Sequence, residues 1–350
     1  MKVLDPMRRK RRNVFDYILP VLFFLFIFTQ FCSAGTKCVW NGVDKIVAVG
    51  DIHGDYKNFV LILKGTGIVD ENLNWAGGKI HFVQTGDIMD RGPDAKKVFD
   101  LLMRLEKEAE KAGGMVHALI GNHEFMNIVG ISFDYPSYVT PEQFVSFLPD
   151  KYRKKKELEF KEKAIEENHS LNGNNGLNKY WTQLIRNDFV ARQQYKDAFN
   201  NKYGKWIRKH NAVIKINETI FVHGGISETY STWKLNDINM HVRMELIGLK
   251  PYKLVYEERG PLWFRDLAKK DEDIFKQDVD SIFTNLKCKF MVIAHTPLVG
   301  SIVVSKENMN RFQGRVWIID TGISECYGGH LSALIIENND FFVWGEGDEN

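Results

Sequence analysis

The chain has 350 residues, 44% of them apolar and 26% charged, which suits one large folded domain or two ordinary ones and excludes an intrinsically disordered chain. Its net charge of +2 hides an asymmetry: residues 1–34 hold six Lys or Arg against two Asp or Glu, and the remainder is slightly acidic. The body of the chain therefore gives no reason to expect a nucleic-acid partner.

Arg8-Arg9-Lys10-Arg11-Arg12 precedes an almost wholly apolar run from Ile18 to Phe31, followed by Cys32-Ser33-Ala34-Gly35. A basic start, a short apolar stretch and small residues at a cleavage point after Ala34 match a signal peptide over residues 1–34. The run is shorter than the ~20 residues of a spanning helix, which favours cleavage. Counted from Val14, it also fits an uncleaved signal anchor. Either reading directs the chain to the secretory pathway or endoplasmic reticulum, and the anchor adds membrane association. A buried N-terminal helix is the weaker alternative, because so aromatic a segment flanked by arginines is hard to pack. Cys38, Cys288 and Cys326 lack the short spacings of a disulfide framework or a cysteine zinc site. Asn168-His169-Ser170 and Asn217-Glu218-Thr219 are formal glycosylation triplets, which arise readily by chance in Asn-rich sequence.

Lys45 to Val49 reads as a buried strand and ends in Gly50-Asp51-Ile52-His53-Gly54-Asp55. A helix follows from Tyr56 to Leu63, then a polar loop over residues 70–78. Lys79 to Gln84 is a second strand, running into Thr85-Gly86-Asp87-Ile88-Met89-Asp90-Arg91-Gly92. Val98, Leu101, Leu102 and Leu105 recur at helical spacing from about Asp94 to Lys111, and Gly113-Gly114 closes that helix. Met115 to Ile120 is a third strand, ending in Gly121-Asn122-His123-Glu124. The repeated strand, polar turn and helix predict an α/β fold with ligand-type residues at the carboxyl ends of the strands.

From about 131 to 209 the character changes. Residues 151–167 are densely charged, 168–178 are rich in Asn and Gly, and Tyr180 to Ile207 has helical periodicity with many aromatics. This predicts a helical insertion whose charged run is a solvated face, since Lys and Glu alternate in sign along it. Trp181, Phe189, Tyr195 and Trp206 are expected to form the insertion's own core. Strands then resume at Ala212 to Ile216, Thr219 to Val222 (leading to His223-Gly224-Gly225), Phe290 to Ala294 (leading to His295-Thr296-Pro297) and Val316 to Ile319 (leading to Asp320-Thr321-Gly322). A helix at Asp271 to Leu286 and a final hairpin of Leu331 to Ile336 against Phe341 to Trp344 complete the chain. Residues 40–345 are thus one domain carrying the insertion.

One histidine after a strand is usually a structural residue. Five strand ends carrying Asp51 and His53, Asp87, Asn122 and His123, His223, and His295, all but the last beside glycine, are hard to obtain from packing alone. Three imidazoles, two carboxylates and an amide oxygen, with His123 set aside, suit two divalent ions sharing a carboxylate, an arrangement used for attack on phosphorus. Mn, Fe and Zn all accept these ligands.

In order, Gly50-Asp51-x-His53-Gly54, Gly86-Asp87-x-x-Asp90-Arg91-Gly92, Gly121-Asn122-His123-Glu124, His223-Gly224-Gly225 and Ala294-His295-Thr296 resemble the signature of the calcineurin-like metallophosphoesterases, and Asp90-Arg91-Gly92 resembles the PPP class of phosphoprotein phosphatases in particular. The resemblance implies two facing mixed sheets flanked by helices. It implies one ion held by Asp51, His53 and Asp87, a second held by Asp87, Asn122, His223 and His295, and phosphoprotein substrates hydrolysed by direct attack of a hydroxide bridging the ions. His123 would be the general acid, oriented by Asp90, while Arg91 and Asn122 would bind phosphate.

Pro297 stands where broader phosphodiesterases carry a further histidine, so the first ion keeps one imidazole. Asp320-Thr321-Gly322-Ile323-Ser324 stands where eukaryotic serine/threonine members carry Ser-Ala-Pro-Asn-Tyr. That change, the insertion and Gly260-Pro261-Leu262-Trp263-Phe264-Arg265 resemble the bacterial-type Shewanella-like branch, and the Asn/Lys-rich insertion with an N-terminal signal is similar to its malaria-parasite members. The family's second phosphate-gripping arginine has Arg265 as its candidate here and Arg259 as the alternative. Competing expectations are a hydrolase of small phosphorylated molecules such as dinucleoside polyphosphates, and a non-catalytic scaffold, against which the intact ligand set argues.

Overall fold

The computed structural model describes residues 36–166, 185–298 and 305–345. The N-terminal basic and apolar segment, the Asn168 triplet, the Asn/Gly-rich loop and Trp181 lie outside these residues. The chain divides into units Met1–Lys37 and Cys38–Asn350, and the second carries everything that follows.

Two mixed sheets form its centre. One has five strands: β2 (Lys45–Val49), β3 (His81–Gln84) and β4 (Met115–Ala118) run parallel, and the closing hairpin β10 (Ser332–Glu337) and β11 (Asp340–Gly345) adds antiparallel to β2. The other has six, in the order β1 (Val39–Trp40), β5 (Val213–Ile216), β6 (Thr219–Val222), β7 (Phe290–Ile293), β9 (Val316–Ile318) and β8 (Asn310–Arg311), with β6, β7 and β9 mutually parallel.

Side-chain alternation on β2 explains how the layers meet. Ile46 and Ala48 pack with Ile214, Phe221 and Val292 of the other sheet, while Val47 and Val49 pack beneath helices with Phe59 and Ile62. Those helices are α1 (Tyr56–Gly65), capped by the Asp55 carboxylate, and α2 (Ala95–Ala112), ended by Gly113 in the left-handed region. On the other side lie α7 (Leu235–Leu246), which the sequence reading did not mark, and α8 (Glu272–Leu286).

After α3 (Asn122–Val129) the insertion is helical: α4 (Pro141–Phe147), capped by Thr140, α5 (Asp150–Glu166) and α6 (Phe189–Phe199), the last continuing through a π-helical turn into Lys205–Ile207. Tyr195 packs among Phe133, Phe144, Phe147 and Phe199 of the insertion, and this core continues onto the rest of the domain. Phe147, Phe199, Tyr203 and Trp206 surround Phe99 of α2, with ring centroids 5.3–6.4 Å away. Apolar residues of α2 exceed what its own sheet covers, so the insertion serves as its second cover. Phe189, expected inside, is 82% exposed, because it opens α6 on the solvent side of the Asp188 cap.

Candidate metal and catalytic centre

Three parallel strands from each sheet end at one edge of the molecule, and the polar turns that follow converge there. β2 delivers Asp51 and His53, β3 Asp87, β4 Asn122 and His123, β6 His223, β7 His295 and β9 Asp320. Each of these side chains is 5% exposed or less. His53, Asp87 and His295 have φ values of 47°, 55° and 64°, and Asp90 and Arg91 have 69° and 68°. Five non-glycine residues in the left-handed region within one site mark backbone held by its surroundings.

Two groups of ligand atoms lie within 4.8 Å of one another, His53 with Asp87 and His123, and Asp87 with His223 and His295. Asp87 is common to both. Asp51 joins the first, since Nε2 of His53 is 3.9 Å from carboxylate oxygens of both Asp51 and Asp87. The Nδ1 of His53 faces the Met89 carbonyl at 3.1 Å, and that of His223 faces the Thr85 carbonyl at 3.0 Å. With those protons committed, the Nε2 lone pairs are turned inward. Nε2 of His223 lies 2.9 Å from Oδ1 of Asn122 and 3.3 Å from Asp87. Nε2 of His295 is buried with no hydrogen-bond partner. Converging lone pairs and an orphaned imidazole nitrogen are what a cation would satisfy, so the residues fit divalent metal ions held by nitrogen and oxygen.

Charge is sorted within the site. Burial, and then His123, pushes His53 down to about 3, and burial with His223 and Arg265 lowers His295 well below the usual imidazole range. His123 goes the other way: burial opposes its charge, but Asp87 and the Asp90 hydrogen bond outweigh it and raise its pKa. Burial also opposes the charge of Asp87, yet the His223 and His123 rings hold it ionised. Burial and the charges of Asp320 and Asp87 raise Asp51, while burial pushes Asp320 up to about 6. Imidazoles whose pKa is lowered suit ligands, and one whose pKa is raised suits an acid.

Asp87 is held from behind. The His123 amide donates to its Oδ1 at 3.0 Å, and the Glu124 carboxylate accepts from the backbone N–H groups of Asp87, Ile88 and Gly121, each at 2.9 Å. His123 turns its Nδ1 to Asp90 at 2.7 Å, leaving Nε2 toward the opening.

That opening is a cavity of about 530 Å³, lined by Asp51, His53, Asp87, Arg91, Asn122, His123, Arg265 and His295 among others. The guanidinium of Arg91 lies between the rings of Tyr138 (4.6 Å) and Tyr327 (5.1 Å), with its Nε buried and unpartnered. Arg265 sits in the wall, donating to the His295 carbonyl at 2.7 Å and Thr296 Oγ1 at 3.1 Å. Arg259 is exposed and ion-paired with Glu228, away from the cavity lining. Tyr138, Trp263, Lys269, Asp320 and Tyr327 line the cavity without having been singled out as site residues. The charge of Asp320 helps raise Asp51, and as a carboxylate at the end of a strand it carried a signal like that of Asp51 and Asp87.

Candidate metal ligands converge at the strand ends of two packed mixed sheets, and the calcineurin-like phosphoesterase family model matches residues 44–331. The chain belongs to that family. Within it, the chain belongs with the Shewanella-like protein phosphatases: it is 30% identical to Shewanella-like protein phosphatase 1 of Plasmodium berghei, over 81% of this chain and 68% of that one. Shewanella-like protein phosphatase 2 of Arabidopsis thaliana is 29% identical over 72% of this chain and 66% of its own. The crystal structure of a cold-active protein-tyrosine phosphatase from a psychrophilic Shewanella superposes with a TM-score of 0.65 at 27% identity, covering 88% of this chain and 80% of that chain.

Proposed function

We propose that this chain is a metal-dependent phosphoprotein phosphatase in which His123 protonates the leaving group. The observation that carries the reading is geometric: two groups of ligand atoms share the Asp87 carboxylate, Nε2 of His295 is buried without a partner, and His123 stands beside them with its Nδ1 clamped to Asp90 at 2.7 Å. Two divalent ions, Mn or an Fe/Zn pair, would activate water and neutralise phosphoryl oxygens when bound by Asp51, His53, Asp87, Asn122, His223 and His295. Arg91, with a free Nε and a guanidinium fixed between two rings, binds the phosphoryl oxygens, with Asn122 and Arg265 beside it. His123 Nε2 hands its proton to the departing oxygen as the P–O bond breaks.

Tyr138, Trp263 and Tyr327 give the cavity an aromatic wall, and the Shewanella relative is a protein-tyrosine phosphatase, so phosphotyrosine peptides stand first among substrates. A panel of phosphotyrosine, phosphoserine and phosphothreonine peptides, assayed with Mn and set against a dinucleoside tetraphosphate, tests the proposal. Turnover of the dinucleotide alone would move the chain to the small-molecule hydrolases. The basic and apolar N-terminal segment supports entry into the secretory pathway, with membrane association where it stays uncleaved. Amino-terminal sequencing of the mature protein and carbonate extraction of membranes test that route.

A further inference from the structure

We infer that Gln143 and Tyr195, contributed by α4 and α6 of the insertion, are positioning residues for the general acid, acting on His123 through Asp90. This rests on the reading of His123 as proton donor.

The observation is a closed ring of buried hydrogen bonds behind the site. Oδ2 of Asp90 accepts from Nδ1 of His123 at 2.7 Å and from Nδ2 of Asn127 at 2.9 Å. Its Oδ1 accepts from Nε2 of Gln143 at 2.7 Å, while the Asp90 backbone N–H donates to Oε1 of the same side chain at 2.7 Å. Nε2 of Gln143 also donates to the Tyr195 hydroxyl at 3.2 Å, and that hydroxyl donates to Oδ1 of Asn127 at 2.8 Å. Asp90, Gln143 and Tyr195 are wholly buried and Asn127 is 1% exposed.

Only one arrangement of protons satisfies the ring. The Asp90 carboxylate can only accept, so both amides must turn their NH₂ groups to it. Oδ1 of Asn127 is then left to accept from Tyr195, whose own lone pair receives the second Gln143 proton. Every donor is matched, and the lone pair of Asp90 aimed at His123 is the position left for the Nδ1 proton. Gln143 grips both the carboxylate and the amide of a residue held at φ 69°, so it sets the backbone as well as the side chain. Neither Gln143 nor Tyr195 lines the cavity. Their influence on turnover must therefore pass through Asp90 and the orientation of the imidazole.

Proton donation matters most when the departing oxygen is a poor leaving group, which separates positioning from general support. The test compares phenyl phosphate with p-nitrophenyl phosphate in Mn-loaded wild type, Tyr195→Phe, Gln143→Met and His123→Asn. Of the 10²–10⁴-fold that a general acid contributes, Tyr195→Phe should lose about tenfold and Gln143→Met about a hundredfold in kcat on phenyl phosphate, with about threefold or less lost on p-nitrophenyl phosphate and little change in KM. Equal losses on both substrates, or none, overturn the inference. If Gln143→Met melts early, Tyr195→Phe, which removes one oxygen atom, carries the test alone. A His123→Asn protein without leaving-group bias sinks the general-acid reading itself. A biased His123→Asn beside unbiased Tyr195→Phe and Gln143→Met sinks only the positioning role.

Discussion

Glu124 shows how much of this site is set by groups that never face the cavity. Its carboxylate accepts three backbone N–H groups at 2.9 Å and thereby aims the Asp87 turn. A glutamine there replaces an acceptor with a donor that opposes one of those N–H groups. Glu124→Gln should weaken divalent-ion binding about 10–100-fold, the usual effect of losing a group that orients a metal ligand; titration calorimetry with Mn measures it, and unchanged affinity would show that the turn holds itself. Gly121 has a different role, because a Cβ there would fall on the Asp87 carboxylate. Gly121→Ala is therefore expected to fold, by circular dichroism, yet to purify with markedly less bound metal by elemental analysis. A wild-type metal content would mean that the loop can shift.

The insertion is joined to the domain by the aromatic cluster on α2, and its helices differ in what they contribute. Phe99 touches four rings of the insertion, so Phe99→Ala should cost about 3–5 kcal/mol in urea denaturation. Phe189 is aromatic too but lies in solvent, and Phe189→Ser should stay within about 0.5 kcal/mol of wild type by the same measurement. The contrast shows where sequence reading ends. Strands β2, β3, β4, β6 and β7 were legible because short apolar runs stop at a ligand-type side chain, preceded by glycine after β2, β3 and β4, a purely local pattern. The packing of Phe99 and the ring through Gln143 and Tyr195 were not, because their partners lie roughly 50 to 100 residues away and nothing local distinguishes a satisfied buried glutamine from a surface one. α7 was missed for a related reason: its buried residues Ile238, Val242 and Leu246 are spaced for a helix, but polar and charged residues dilute the run between them.

At the scale of the molecule, each sheet supplies part of the ligand set: Asp51, His53, Asp87 and Asn122 come from one, His223 and His295 from the other. Bound ions would tie the two layers together at an edge where neither layer carries the full set. Ion binding to the folded state alone adds about 2.7 kcal/mol at a free concentration a hundredfold above Kd. A chelator should therefore lower the melting temperature measurably, with recovery on adding Mn, and a melting curve indifferent to chelation would count against ions held between the layers. Nothing in the amino-acid order hints at this division. It follows from which strands pair, and pairing becomes visible only in three dimensions.

The pairing of β10 with β2 has a consequence for how the chain is made. Val47 finds its neighbour in Ile335, so the strand that delivers Asp51 and His53 waits for almost the entire polypeptide to leave the ribosome. At about 5–20 residues per second, that interval is on the order of tens of seconds. Throughout it, one side of an apolar strand has its backbone amides and carbonyls without their native partners, open to any other nascent edge. A chain terminated shortly after Asp320 leaves that edge of β2 permanently unpaired and is expected to accumulate in the pellet of a solubility assay rather than as a weaker enzyme.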